Sequence, residues 1–179
     1  MAELAHIAHI HGELDASLRY AETYLQRCLE RDRAIDSAYA LYTHAFYARL
    51  QGDQERAYSS AHAALDIFSQ SHPTAMSPGE QLFELRAQNE LARVEGNYTA
   101  SQESLEQAVS LIQAMGNHYL LADALFDQAC FAQQQGKYLD ARHLAQHTIK
   151  IAESKKLSHF YRRSIHLLRQ LAEAKEQQR

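Results

Sequence analysis

The chain has 179 residues, 46% hydrophobic and 22% charged, with a net charge of -4 and no dense block of lysine and arginine. That suits one domain with a continuous core and argues against a nucleic-acid binder, whose affinity rests on neutralising phosphates. No apolar run is long enough to span a bilayer, and the first residues lack the basic start and unbroken apolar stretch of a secretory signal, so a cytoplasmic location is expected.

In chain order, the apolar residues recur at steps of three and four, which place them on one stripe of each helix. The pattern predicts helices over 2–11, 14–30, 34–50, 53–70, 79–95, 98–114, 118–135, 138–154 and 158–176. No segment alternates with period two, so no strand is expected and the fold class is all-α. Ser77-Pro78-Gly79-Glu80 reads as a helix start with its cap, its first-turn proline and a glutamate three residues past the cap. Asp32, Asn117 and Ser158 are the expected caps of three further helices.

Gly12, Gly52, Gly96 and Gly136 stand 40, 44 and 40 residues apart, and their neighbours recur with them. Four residues before each glycine is Ala8, Ala48, Ala92 or Ala132, and thirteen after it Leu25, Leu65, Val109 or Ile149. Seven before lie Ala5, Ala45, Asn89 and Ala129; five after, Ser17, Ala57, Ser101 and Ala141; nine after, Ala21, Ala61, Leu105 and Ala145. Such a period is the mark of a stacked repeat, with each glycine closing the first helix of a pair. Small residues at facing positions let the two helices of a pair cross closely. The extra four residues of the longer step fall between Ser71 and Met76.

On these positions, and on Tyr98 and Tyr138 two residues after their glycines, the chain resembles the tetratricopeptide repeat (TPR) family. The resemblance covers almost the whole length in four units, about 1–31, 32–76, 77–116 and 117–157, with a capping helix at about 158–176. It departs from the family in carrying leucine where a tryptophan is usual early in the first helix. It also lacks the closing proline, and its spacing exceeds about 34 residues. In that it is similar to the longer-helix variants of bacterial signalling proteins, transcriptional activators and motor light chains. The resemblance implies one domain, a right-handed α-solenoid of four helix pairs plus the cap, that binds a protein or peptide segment in a concave groove without catalysis. A ligand-responsive regulatory domain and a homo-oligomeric structural module are the alternatives.

The family pattern carries groove positions onto Tyr39, Tyr42, Phe46 and Arg49, then Phe83, Arg86, Glu90 and Arg93, then Phe126, Cys130 and Gln133. Aromatics with arginines suit a peptide anchor, and the arginines favour an acidic partner. The competing reading has some of these rings packing between adjacent repeats and Arg86 pairing with Glu90 at helical spacing. The Lys/Asn constellation that clamps a C-terminal carboxylate in some members is not reproduced.

At the ends, Phe160, Leu167 and Leu171, with Ile165 and Leu168, are expected to cover the previous pair. Leu4, Ile7 and Ile10 are apolar where a terminal repeat wants a polar face. Either the first pair meets another molecule, as in a homodimer through the N-terminal helices, or the chain belongs to a longer one. Of the eleven histidines, His6, His9 and His11 cluster, and His143 and His147 lie one turn apart; no HExxH motif accompanies either group, so no metal is expected. Cys28 and Cys130 sit within helices without an activating partner, and no glycine-rich phosphate loop or G-x-S-x-G elbow occurs. No cofactor and no enzyme activity are expected.

Overall fold

A computed structural model describes residues 1–31, 33–71 and 76–177, the last four by their backbone alone. The described residues form nine helices and no strand: α1 (Ala2–Ile10), α2 (Leu14–Glu30), α3 (Ala34–Leu50), α4 (Gln54–Ser71), α5 (Pro78–Val94), α6 (Tyr98–Ala114), α7 (His118–Gln134), α8 (Tyr138–Lys155) and α9 (Ser158–Gln177). Each bound lies within one residue of that expected from periodicity.

The turn inside each pair explains the alanine that precedes its glycine. Gly52 has φ +85°, a left-handed conformation that an L side chain reaches only with strain. It swings the next amide back, so that Asp53 N–H donates to the Ala48 carbonyl at 2.9 Å and closes the end of α3. The same bond joins Glu13 to Ala8, Asn97 to Ala92 and Lys137 to Ala132. Asp53 and Asn97 then cap the following helix, their Oδ1 atoms accepting from Arg56 N–H at 3.1 Å and Ala100 N–H at 3.2 Å.

Other caps fall as follows. Ser77 and Glu80 exchange both bonds of a capping box, with Pro78 behind them. Asn117 Oδ1 accepts from Leu120 N–H at 3.1 Å. Asp32 and the inserted loop at 72–75 lie outside the described residues. The expectation for Ser158 needs correcting: it is the first residue of α9, and the Leu157 carbonyl accepts the Tyr161 N–H as a cap residue's does. Lys156, at φ 57°, ends α8 in the left-handed region and sends Leu157 N–H onto the Ala152 carbonyl at 2.8 Å. Leu157 then enters the core, which leaves Ser158 one place too late to cap.

The chain divides into two compact units, 1–108 and 109–179, with the division inside α6. In the first unit, α1 packs on α2, α2 on α3, α3 on α4 and α4 on α5, while α3 also meets α5. Packing between chain neighbours, plus a first-helix to first-helix contact one pair further on, is repeat stacking. The crossings are built from residues with little or no exposed surface: Ala5, Ser17 and Ala21, then Ala45, Ala57 and Ala61. Larger side chains fill around the first crossing, with Leu18, Tyr47 and Ala48 buried and Leu14, Phe46, Leu50 and Val94 against them.

In the second unit α7, α8 and α9 pack on one another. Ala129, Ala141 and Ala145 make its close crossing, and Phe160, Leu167 and Leu171 of α9 are buried in the same core. Leu168 packs beside them, so α9 covers the α7–α8 pair as its apolar stripe implied.

Candidate functional site

The residues proposed for the groove sit on the first helices of the pairs, and the structure shows what they touch. In the first unit, Tyr39 and Tyr42 of α3 meet Phe83 of α5, with ring centroids 4.2 and 6.3 Å apart. All three rings are half-buried. Tyr24 of α2 adds an edge-on contact to Tyr39 at 5.9 Å. Burial pushes the Tyr24 phenol well above its ordinary pKa, and a hydrogen bond with Cys28 adds to the shift. The phenol therefore stays neutral and available as a hydrogen-bonding group.

Below the rings the charges close on each other. Arg49 lies three residues before its glycine and Glu90 six before the next. Arg49 Nε donates to Glu90 Oε2, and Arg49 Nη2 lies 3.3 Å from Oε1. Their side chains are 11% and 2% exposed, so both charges have left bulk water. The Arg49 guanidinium also stands 5.6 Å from the Phe46 ring centroid. The same register recurs one pair earlier, where His9 meets the Phe46 ring at 5.8 Å. In this unit, adjacent first helices are thus joined twice by the residue three before one glycine and the residue six before the next. Arg86 and Arg93, on the same helix as Glu90, are half-buried.

A second polar contact continues this network into the pair. Where two other pairs cross on alanine, Asn89 and Ser101 face each other, and Ser101 Oγ donates to Asn89 Oδ1 at 2.7 Å with both groups buried. Asn89 Nδ2 stands 3.5 Å from Glu90 Oε1.

In the second unit, Phe126 of α7 is buried, and the Arg163 guanidinium of α9 lies over its ring at 4.4 Å. Cys130 and Gln133 are half-buried on α7. Tyr119 meets His159 at 5.8 Å and Phe160 at 5.2 Å, and burial followed by the Asp123 carboxylate raises its pKa. Sequence reading missed Tyr24, His9 and Arg163. His9 was legible, being three residues before its glycine, as Arg49 is. Arg163 follows Asp123 by one repeat period. Tyr24 lies on a second helix, and nothing in the spacing pointed to it.

Among the described residues no group of three or more His, Cys, Asp or Glu side chains could hold a metal ion. No helix among them is long and apolar enough to cross a membrane.

No protein-family model matches the chain, and no curated protein matches its sequence. Solved structures do resemble it. One is a crystal structure of nearly identical TPR-like repeats from a protein described as a kinesin light chain of Podosopora anserina. It aligns over 98% of this chain and 88% of its own, at 19% identity and a TM-score of 0.51. A point variant of the same repeats aligns over 99% and 95%, at 18% identity and the same TM-score. The fold is a TPR-like helical repeat. At that level of identity the likeness concerns the fold alone.

Proposed function

We propose that this TPR-like chain is a non-catalytic scaffold that binds a protein or peptide segment along the first-helix face of its repeats, in the cytoplasm. The observation that carries the reading is the half-buried cluster of Tyr39, Tyr42 and Phe83, with Arg86 one turn and Arg93 about three turns further along α5. Rigid rings with arginines beside them supply contact area at low entropic cost, and arginine favours a carboxylate-bearing segment through forked hydrogen bonds. Phe46, Arg49 and Glu90 belong to the same row but bond to their neighbours, and in this reading they hold the face in shape. In the second unit Phe126 is buried beneath Arg163 and in this reading holds its helix in place, which leaves Gln133 as the half-buried position of that row.

A peptide array probed with the intact protein tests the proposal. Arg86→Glu with Arg93→Glu, and separately Tyr42→Ala, should each remove hits that contain acidic residues. Arg49 is left intact because its loss would disturb folding. Hits that persist unchanged in both variants would show that partners dock elsewhere.

A homodimer through the N-terminal helices is favoured by one further observation. Leu4 and Ile7 are 43% and 50% exposed, whereas Tyr47, one period after Ile7, is 3% exposed against the first pair. A dilution series followed by light scattering, with Ile7→Glu as the control, reads this directly.

A further inference from the structure

The charge of this chain is unevenly placed. Residues 1–108 carry sixteen carboxylates against eight arginines and no lysine, whereas residues 137–170 carry eight lysines and arginines against two carboxylates, Asp140 and Glu153. These basic residues are spread along the sequence and gather only once α8 and α9 pack together. Arg142, Lys150, Lys155, Lys156, Arg162 and Arg169 are all exposed on the two helices and the turn between them. Among the described residues none of the six has a carboxylate within ion-pair distance. Residues 174–179 carry two further basic groups and one carboxylate, so they add to the excess rather than balance it.

The repeat register sharpens the contrast. The positions 3, 7, 10 and 14 residues after each turn glycine lie on the second helix of a pair and are exposed in all four pairs. On α4 they hold Glu55 and Asp66, and on α6 Glu103 and Glu106, with no lysine or arginine. On α8 they hold Leu139, His143 and Lys150, with no carboxylate. Leu139 is 71% exposed. The same register is therefore acidic on α4 and α6 and basic, with an apolar side chain, on α8.

We infer that the α8–α9 face docks on the acidic stripes of α4 and α6 in a second copy of this chain. Single exposed ion pairs contribute little, but a patch of one sign meeting a patch of the other gains from several at once and steers the encounter. The two surfaces are laid out on the same ladder of helical steps, so charges of one copy meet those of the other at matching spacing. Leu139 adds apolar area that the contact removes from water. This contact is separate from the apolar one at α1 and, unlike it, is sensitive to salt.

Sedimentation velocity of the intact protein over a concentration series is the first measurement. Association should weaken about ten-fold or more between ~50 mM and ~300 mM sodium chloride, as screening shortens the reach of exposed charges. Arg162→Glu with Arg169→Glu reverses the basic face, and Glu55→Lys with Glu103→Lys and Glu106→Lys reverses the acidic one. All five positions are exposed, so both variants should keep the helical signal of the parent. Each variant alone should be monomeric at the lower salt. An equimolar mixture should associate again, because it still holds one native face of each sign, and such recovery excludes misfolding as the cause of the loss. A parent that is monomeric at both salts, association indifferent to either set of substitutions, or a mixture that does not recover would overturn the inference. So would a monomer that instead sediments with phosphatidylserine vesicles or with an oligonucleotide, which would assign the face to that polyanion. Salt-insensitive association lost only in Ile7→Glu belongs to the α1 contact and also overturns it.

Discussion

Arg49 and Glu90 join two helix pairs by an ion pair from which water is largely excluded, the guanidinium on α3 and the carboxylate on α5. Two ions removed from water are stable there only as a pair, so losing one partner is far worse than losing both. Arg49→Met alone should destabilise the protein by about 3 kcal/mol or more, whereas Arg49→Met with Glu90→Leu should return to within ~1 kcal/mol of the parent. Urea denaturation of the two variants and the parent measures both.

The Ser101–Asn89 hydrogen bond replaces the alanine contact of other pairs. Ser101→Ala leaves a buried amide oxygen without its donor and should cost about 1–2 kcal/mol. Adding Asn89→Ala restores the arrangement of Ala45 against Ala57, and most of the loss should be recovered. A double variant less stable than Ser101→Ala alone would mean that Asn89 serves Glu90 more than it serves the crossing.

Gly52 and Lys156 occupy the same left-handed position at two helix ends, and only one of them is glycine. No atom lies within 4 Å of a β-carbon built on Gly52, so its substitution strains the backbone alone. Gly52→Ala should lower stability by about 1 kcal/mol, and Lys156→Gly should raise it by up to about the same amount. Thermal melts that move in opposite directions would bear this out.

His44 Nδ1 lies 2.8 Å from Ser60 Oγ inside the α3–α4 crossing. Burial holds its pKa below the ordinary histidine value; the Arg56 charge acts the same way, and Glu22 and Asp53 act against it. The unfolded chain therefore takes up a proton near pH 6.5 that the folded one refuses. Stability should be intact above about pH 6.5 and should fall as the pH drops from there to the folded pKa. Urea midpoints measured on either side of that range should converge in His44→Asn. If the two proteins share the same pH dependence, another group is responsible.

Helix bounds, crossings and turns were all legible in the residues because each depends on local chemistry: a period of three or four, a small side chain, a left-handed glycine. The alanine four before each glycine was visible as a repeat, and the structure supplied its reason, a carbonyl that receives the returning amide. Ser158 was misread because the residue that set the start of α9 was Lys156, a lysine in a conformation that composition assigns to glycine.

What the side chains of the candidate face do with one another lay beyond the one-dimensional pattern. Glu90 takes Arg49 of the preceding pair, 41 residues away, and Phe83 takes Tyr39 and Tyr42. The repeat period places such residues at matching heights on adjacent helices, but whether a charge faces solvent or a counter-charge depends on how closely the helices approach. For α3 and α5 that approach is set where the two meet directly and where α4 packs on both. Periodicity governs the elements, and packing distance governs which of their charges remain open.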